Sequence, residues 1–240
     1  MPEHISRKEL KQDKIHDAIE HGAEAVFSHT TVIGGAVLLV VVLAAIYAGW
    51  RFYMDRQTVQ ATAAMDAVMK VFSARIAAAA DPSDPGEPFY ATEAARAEAA
   101  AQQFSDVARK YARTDPGRHA AYYAALCNED LERHNQALEK LKKISSGSDK
   151  ELAAMAQYQI GLIYERTGKP ADAIKIFRDL ADHSSIFVPR PLALLELAGA
   201  LRQTNPTEAA SVYEQLKKEF PNTAAADQAD RGLETLAPKS

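Results

Sequence analysis

The sequence predicts an all-α protein in which an N-terminal single transmembrane helix is followed by a solenoid of helical hairpins. Three observations predict this class: an uncharged run from Ala25 to Trp50, a composition rich in Ala, Glu, Lys, Leu and Arg with no convincing strand beyond that run, and an internal repeat of 36 residues. The expected segments are a polar tail at 1–28, the transmembrane helix at 29–50, a connecting helix and loop at 51–91, and the repeat domain with a C-terminal capping helix at 92–240.

The uncharged run is long enough to cross a membrane, because twenty residues of α-helix span about 30 Å, the thickness of the hydrocarbon layer. A cleaved signal peptide has a shorter apolar core behind a short basic leader, whereas a longer polar leader precedes this run. We therefore expect a retained anchor. Aromatic side chains and an arginine on its flanks suit the two membrane interfaces. These interface residues are Phe27, Tyr47, Trp50, Arg51, Phe52 and Tyr53.

The composition argues against several classes of protein. The net charge is −4 with both signs mixed along the chain, so no basic face for nucleic acid is predicted. Cys127 is the only cysteine, which makes an intrachain disulfide impossible and indicates a buried helix residue. The chain has no glycine-rich phosphate loop, no Gly-x-Ser-x-Gly turn, and no histidine pair at the spacing of a helical zinc site. We expect no enzyme, no cofactor and no metal.

The internal repeat brings three copies of one pattern into register. In each copy, small-x-x-x-large-x-x-large places three side chains on one face of a helix. The preceding helices of the first two copies also match. The aligned triplets are Ala137, Leu141 and Ile144; Ala173, Phe177 and Leu180; and Ala209, Tyr213 and Leu216; the aligned preceding positions are Ala120, Tyr122, Leu126 and Glu129 with Ala156, Tyr158, Leu162 and Glu165.

Two short helices in a period of this length resemble the tetratricopeptide repeat family. In the best copy, residues 157–180, the motif positions for Leu-Gly, Tyr, Gly, Ala and Phe are occupied by Ile160-Gly161, Tyr164, Gly168, Ala173 and Phe177. We expect Gly161 and Ala173 to let the two helices of a hairpin approach closely, and Tyr164 and Phe177 to fill the seam between hairpins.

We expect a further helical segment at each end of the repeat array. A degenerate half-copy comprises Ala100, Phe104, Val107 and Tyr111, and its partner helix would be the segment Arg51 to Ala80 that leaves the membrane. The last segment, Ala224 to Leu236, has the length of a terminal helix that covers the end of the stack.

The whole-chain arrangement resembles the YfgM family, whose members are single-pass ancillary subunits of the bacterial SecYEG translocation channel. The resemblance implies an inner-membrane protein with a cytoplasmic N-terminus and a periplasmic repeat domain. It also implies protein partners beside the lipid bilayer: translocon subunits, a periplasmic chaperone or nascent secreted polypeptides. Charge does not orient the chain, because four Lys/Arg precede the apolar run and three lie in the twenty residues after Trp50.

In a tetratricopeptide stack, the first helices line a groove that binds an extended peptide or a partner helix. The twofold occurrence of Tyr-x-x-x-Leu-x-x-Glu would supply an aromatic anchor, an aliphatic contact and a carboxylate. Alternatively, the Tyr and Leu side chains pack against neighbouring helices and the Glu side chains are solvated. The groove positions are His119, Tyr122, Leu126, Glu129, Met155, Tyr158, Leu162, Glu165, Leu192, Leu195 and Arg202.

These patterns favour a membrane-anchored interaction scaffold, a chaperone-like adaptor that holds emerging polypeptides or a periplasmic folding factor close to the translocation channel. Anchoring would raise the effective concentration of partners at the membrane. Three alternatives stay open: an envelope assembly scaffold for cytochrome maturation or cell-wall assembly, a docking receptor facing the cytoplasm, and a self-associating structural protein that forms a homo-oligomer.

Overall fold

The structure, a computed structural model, describes residues 30–77, 86 and 88–236. These residues form nine helices and one pair of short strands, which confirms the predicted all-α class. The predicted tail and Phe27 lie outside the described residues. The elements are α1 (Thr30–Phe72), β1 (Arg75–Ile76), β2 (Phe89–Tyr90), α2 (Glu93–Lys110), α3 (Asp115–Asp130), α4 (His134–Ser145), α5 (Lys150–Arg166), α6 (Pro170–Asp182), α7 (Arg190–Leu201), α8 (Pro206–Glu219) and α9 (Ala224–Leu236).

Helix α1 runs without interruption for 43 residues. No Gly or Pro occurs between Trp50 and Phe72, so nothing in the sequence breaks the helix where the apolar run ends. It ends at Phe72, earlier than the predicted end at Ala80. From Gly34 onward it is long and apolar enough to cross a membrane, with a mean hydropathy of 2.0 in its most apolar window, none of which is buried.

The chain forms two compact units, Met1–Arg56 and Gln57–Ser240. In the described part of the first unit, large apolar side chains of α1 are exposed from Val37 to Tyr53. A helix that packed on a protein core would bury one such face, so this exposure suits a lipid environment.

A pair of two-residue strands corrects the expectation that no strand follows the membrane run. Strand β1 pairs in parallel with β2, and the Ala77 N–H donates to the Tyr90 carbonyl over 2.9 Å. Two residues are too few to show an alternating pattern, which is why the sequence analysis missed them. A guanidinium nitrogen of Arg96 also donates to the Ala74 carbonyl over 3.1 Å. The end of α1 therefore lies beside the start of α2, and the two helices run antiparallel.

Several helices of the second unit start or end at polar, Pro or Gly residues. The side chains of Thr114 and Asp149 cap α3 and α5 by accepting from backbone N–H groups, which satisfies donors that a helix start leaves unpaired. Helix α5 ends before Gly168, whose φ of +72° is the left-handed conformation that glycine adopts readily. Short turns join consecutive helices, so neighbours pack antiparallel.

The close approach of α5 and α6 depends on a glycine. A Cβ atom on Gly161 would lie 2.6 Å from the Phe177 ring, and both Phe177 and Ala173 are fully buried. Tyr164 is half-buried against two neighbouring core clusters. The close approach expected at Gly161 and the position expected of Tyr164 between hairpins are thereby confirmed, whereas Phe177 packs against Gly161 within its own hairpin.

The other copies use the same packing. Ala137 and Leu141 are buried, Ile144 is half-buried, and the triplet that begins at Ala209 is fully buried. The degenerate half-copy is confirmed as well, because its four residues are buried in one cluster with Ala61 and Val68 of α1. At the other end, a Cβ on Gly232 of α9 would lie 2.4 Å from the Tyr213 ring. The capping helix thus closes on the third copy at another glycine.

Two glycines in first helices give a matched test of this packing. We expect Gly161→Ala to lower the free energy of unfolding by about 1–3 kcal/mol, because the new methyl group overpacks a buried ring. Gly199→Ala in α7 meets no atom within 4 Å, so it should be neutral or stabilise by up to about 1 kcal/mol. Urea unfolding of the full chain in detergent, followed by circular dichroism, measures both. Equal stability of Gly161→Ala and wild type would contradict the packing role.

Candidate partner-binding groove

The predicted groove positions share one face of helices α3, α5 and α7, the first helices of three hairpins. On α5 they recur at residues 155, 158, 162 and 165, the spacing of one helical face. Other positions of this helix are buried in the hairpin core. We call the surface formed by the groove positions of α3, α5 and α7 the partner face. The buried positions of α5 are Leu152, Ala154, Ala156, Ile160, Gly161 and Ile163.

Tyr158 connects two first helices across the partner face. Its hydroxyl donates to a carboxylate oxygen of Glu196 on α7 over 2.7 Å, and its ring centroid lies 6.1 Å from that of Phe177. Burial raises the pKa of Tyr158, and so do the hydrogen bond to Glu196 and its negative charge. The ring is half-buried, so part of its aromatic surface is accessible to a partner. Its hydroxyl proton is already donated to Glu196.

Tyr122 does not take part in an open surface. Only 5% of the residue is exposed, its ring lies edge-on to that of Tyr123, and burial raises its pKa despite an opposing hydrogen bond with Gln159. This corrects the expectation of a free aromatic contact at this position. The alternative, packing against neighbouring helices, holds for Tyr122.

Glu129 is the second correction, because its carboxylate is bonded within the protein. The residue is 9% exposed. One carboxylate oxygen accepts from Arg166 over 2.6 Å, and the other lies 2.9 Å from Nδ1 of His134. The three residues belong to α3, α4 and α5, so Glu129 joins two hairpins and is not open to a partner.

The remaining groove positions are accessible in part or in full. His119 is half-buried, with Nδ1 2.9 Å from the Asp115 carbonyl oxygen. Two positions, Glu165 and Arg202, are exposed. The apolar positions are half-buried and contact the core clusters, so each has some surface left for a partner. They are Leu126, Met155, Leu162, Leu192 and Leu195.

Glu196 lies beside the partner face and was missed by the sequence analysis. It lies outside the repeated motif. The only signal in the sequence was Tyr158 itself, because the hydroxyl group of a partly buried Tyr needs a hydrogen-bond partner. Although Glu165 is exposed, the protein shields its carboxyl group in part; this desolvation raises the pKa of Glu165, the charge of Glu196 raises it further, and the charge of Arg202 opposes the shift. The neighbouring carboxylates of Glu165 and Glu196 give this part of the surface negative charge, which Arg202 offsets in part.

The predicted interface residues of α1 lie at the C-terminal end of the apolar run and just after it. Tyr47, Trp50, Phe52 and Tyr53 are each more than half exposed, and the Tyr47 and Trp50 ring centroids are 6.2 Å apart. The Arg51 guanidinium lies 3.5 Å from the Asp55 carboxylate. Their contact with head groups stays a prediction.

Two further observations concern reactive and metal-binding groups. Among the described residues, no group of three or more His, Cys, Asp or Glu side chains could hold a metal ion. Cys127 is buried as expected, and burial raises the pKa of its thiol to about 12. The thiol is therefore protonated at neutral pH and a weak nucleophile.

Antiparallel helical hairpins with a partly accessible mixed face define a helical-repeat protein. Residues 31–188 match the family model described as tetratricopeptide repeat-like domain, and residues 192–223 match the tetratricopeptide repeat. The first match covers more than half of the chain, so the protein belongs to the tetratricopeptide repeat-like domain family. Such repeats mediate protein–protein interactions, typically as scaffolds without catalytic activity. Comparison with curated proteins and with solved structures gave no match.

The buried carboxylate of Glu129 can be tested against an exposed one. We expect Glu129→Ala to lower the free energy of unfolding by about 1–3 kcal/mol, because two charge-assisted hydrogen bonds are lost. Glu139 on α4 is 72% exposed and pairs only at the surface with Lys143, so Glu139→Ala should change stability by at most about 0.5 kcal/mol. Denaturant unfolding of both variants measures the difference. Similar values for the two would show that Glu129 is not a structural link.

Proposed function

We propose that the protein is a membrane-anchored scaffold that binds polypeptide partners on the partner face and holds them at the membrane. Membership of a repeat family that mediates protein–protein interactions supports the binding role. The exposed apolar stretch of α1 supports the anchor. Binding is reversible, and anchoring raises the effective concentration of partners near the membrane without any new contact.

The observation that carries the binding role is the mixed character of the accessible part of the partner face. Met155, Leu162 and Leu195 provide half-buried apolar surface beside the exposed carboxylate of Glu165. Met and Leu adapt to partners of different shape, and the neighbouring carboxylates of Glu165 and Glu196 attract a cation. The preferred segment is therefore an apolar stretch of polypeptide that carries a Lys or Arg.

The resemblance to the YfgM family supports a particular setting, the bacterial Sec translocon. In this proposal residues 29–50 cross the inner membrane, residues 1–28 lie in the cytoplasm, and residues 92–240 face the periplasm, connected through residues 51–91. The protein acts there as an ancillary, chaperone-like adaptor, and its partners are translocon subunits, periplasmic folding factors or emerging secreted polypeptides.

Site-specific photo-crosslinking in living cells tests this proposal. A photoreactive amino acid at Leu162 or Glu165 should capture channel subunits, periplasmic folding factors or nascent secreted chains, identified by mass spectrometry. The same residue at Lys175, which is exposed on the second helix α6, is the matched control and should capture far less of them.

The competing results are distinct. Equal capture from Lys175 would show that the partner face is not the binding surface. Capture of cytoplasmic proteins alone, or of one envelope-assembly protein, would contradict the translocon setting.

A further inference from the structure

The loop between α6 and α7 exposes two large apolar side chains. Ile186 is 82% exposed and Phe187 is 60% exposed, and the run of residues 184–189 around them carries no charge. We propose that this loop inserts Ile186 and Phe187 into the lipid interface of the membrane that anchors the chain. The inference rests on the anchoring in the proposed function and adds a second membrane contact, made by the repeat unit itself.

The loop is held in one conformation by contacts on both sides of its tip. The Ser185 N–H donates to the Val188 carbonyl over 3.0 Å, and the Val188 N–H donates to the Ser185 hydroxyl oxygen over 3.1 Å. The Val188 side chain is 1% exposed and belongs to the core. The two apolar side chains are therefore presented outward by a closed loop.

The backbone donors of the tip are already bonded within the protein. The N–H groups of Ile186 and Phe187 donate to one carboxylate oxygen of Glu151 over 3.0 Å and 3.3 Å. With the two bonds between Ser185 and Val188, and with Pro189 lacking an N–H, each backbone N–H of residues 185–189 has a partner within the protein. Donors that are bonded internally lower the free-energy cost of moving the loop tip from water toward the apolar part of the interface.

The position of the loop within the repeat unit fits this role. The end of α1 lies beside the start of α2, so α2 returns toward the end of the unit that contains Gln57. Each later hairpin repeats the reversal, and α2, α4, α6 and α8 therefore all finish at that end. The α6–α7 loop thus lies at the same end of this unit as Gln57.

Size and charge favour lipid over a protein partner. A stable protein interface buries about 800 Å² on each partner, far more than two side chains offer, whereas two apolar side chains suffice for a chain that is already anchored. The charged side chains that flank the loop in sequence have partners. His183 pairs with Asp179, and Arg190 with Glu219. Because the tip has no basic residue, insertion should not require anionic lipid.

Tryptophan fluorescence of the full chain tests the proposal, because Trp50 is the only tryptophan. The wild type, W50F/F187W and W50F/Q203W are reconstituted into phosphatidylcholine vesicles with and without bromine on the acyl chains near the head group. We expect the brominated lipid to quench most of the fluorescence of W50F/F187W, with or without added phosphatidylglycerol. Gln203, exposed in the turn at the opposite end of the unit, should give an unquenched control.

Quenching of Trp50 in the wild-type chain tests the anchoring on which this inference rests, independently of the loop. Quenching of Trp50 without quenching of W50F/F187W would overturn the lipid contact and leave the anchor intact. Quenching of neither would contradict the anchor itself. A W50F/F187W emission that is shielded from acrylamide but insensitive to bromine would indicate a protein contact and overturn the proposal. W50F/I186W is a second reporter, and circular dichroism verifies folding.

Discussion

The repeat unit depends on the close approach of two helices at a small residue. Between α5 and α6, the Phe177 ring occupies the space that a side chain on Gly161 would need, and α9 closes on Tyr213 through Gly232 in the same manner. A single hairpin cannot bury its apolar surface alone, so each one is stabilised by its neighbours. The second half of α1 joins this arrangement by burying Ala61 and Val68 against α2 and α3, which makes one helix both a membrane-spanning candidate and the first helix of the stack.

The partner face is the surface that stays accessible after the hairpins have packed together. Its three helices are not equally accessible to a partner. On α3, Tyr122 and Glu129 are used inside the protein, and Glu129 joins two hairpins through His134 and Arg166. On α5 and α7, apolar side chains stay partly accessible around the bond between Tyr158 and Glu196. Recognition is therefore expected to concentrate on the second and third hairpins, although the sequence repeats the same motif on α3 and α5.

Sequence spacing predicted the helices and the hairpin packing because both depend on local periodicity and residue size, as at Ala173 and Phe177. It could not predict that Tyr122 and Glu129 are buried, since their neighbours Gln159 and Arg166 come from another hairpin. The same holds for Glu196, which lies 38 residues from Tyr158. The strands β1 and β2 were too short to detect. The membrane orientation could not be predicted for another reason: the numbers of basic residues on the two sides of the apolar run are nearly equal.

The separation of tail and repeats by a membrane is the central claim, and a membrane-impermeant maleimide tests it directly. Background labelling should be low, because burial raises the pKa of the Cys127 thiol to about 12. Single cysteines are introduced as Ser211→Cys, exposed on α8, and as Ser6→Cys in the tail. In intact spheroplasts we expect labelling of Ser211→Cys alone, with Ser6→Cys labelled only after lysis. Labelling of both before lysis would contradict an anchored protein, and labelling of Ser6→Cys alone would reverse its orientation.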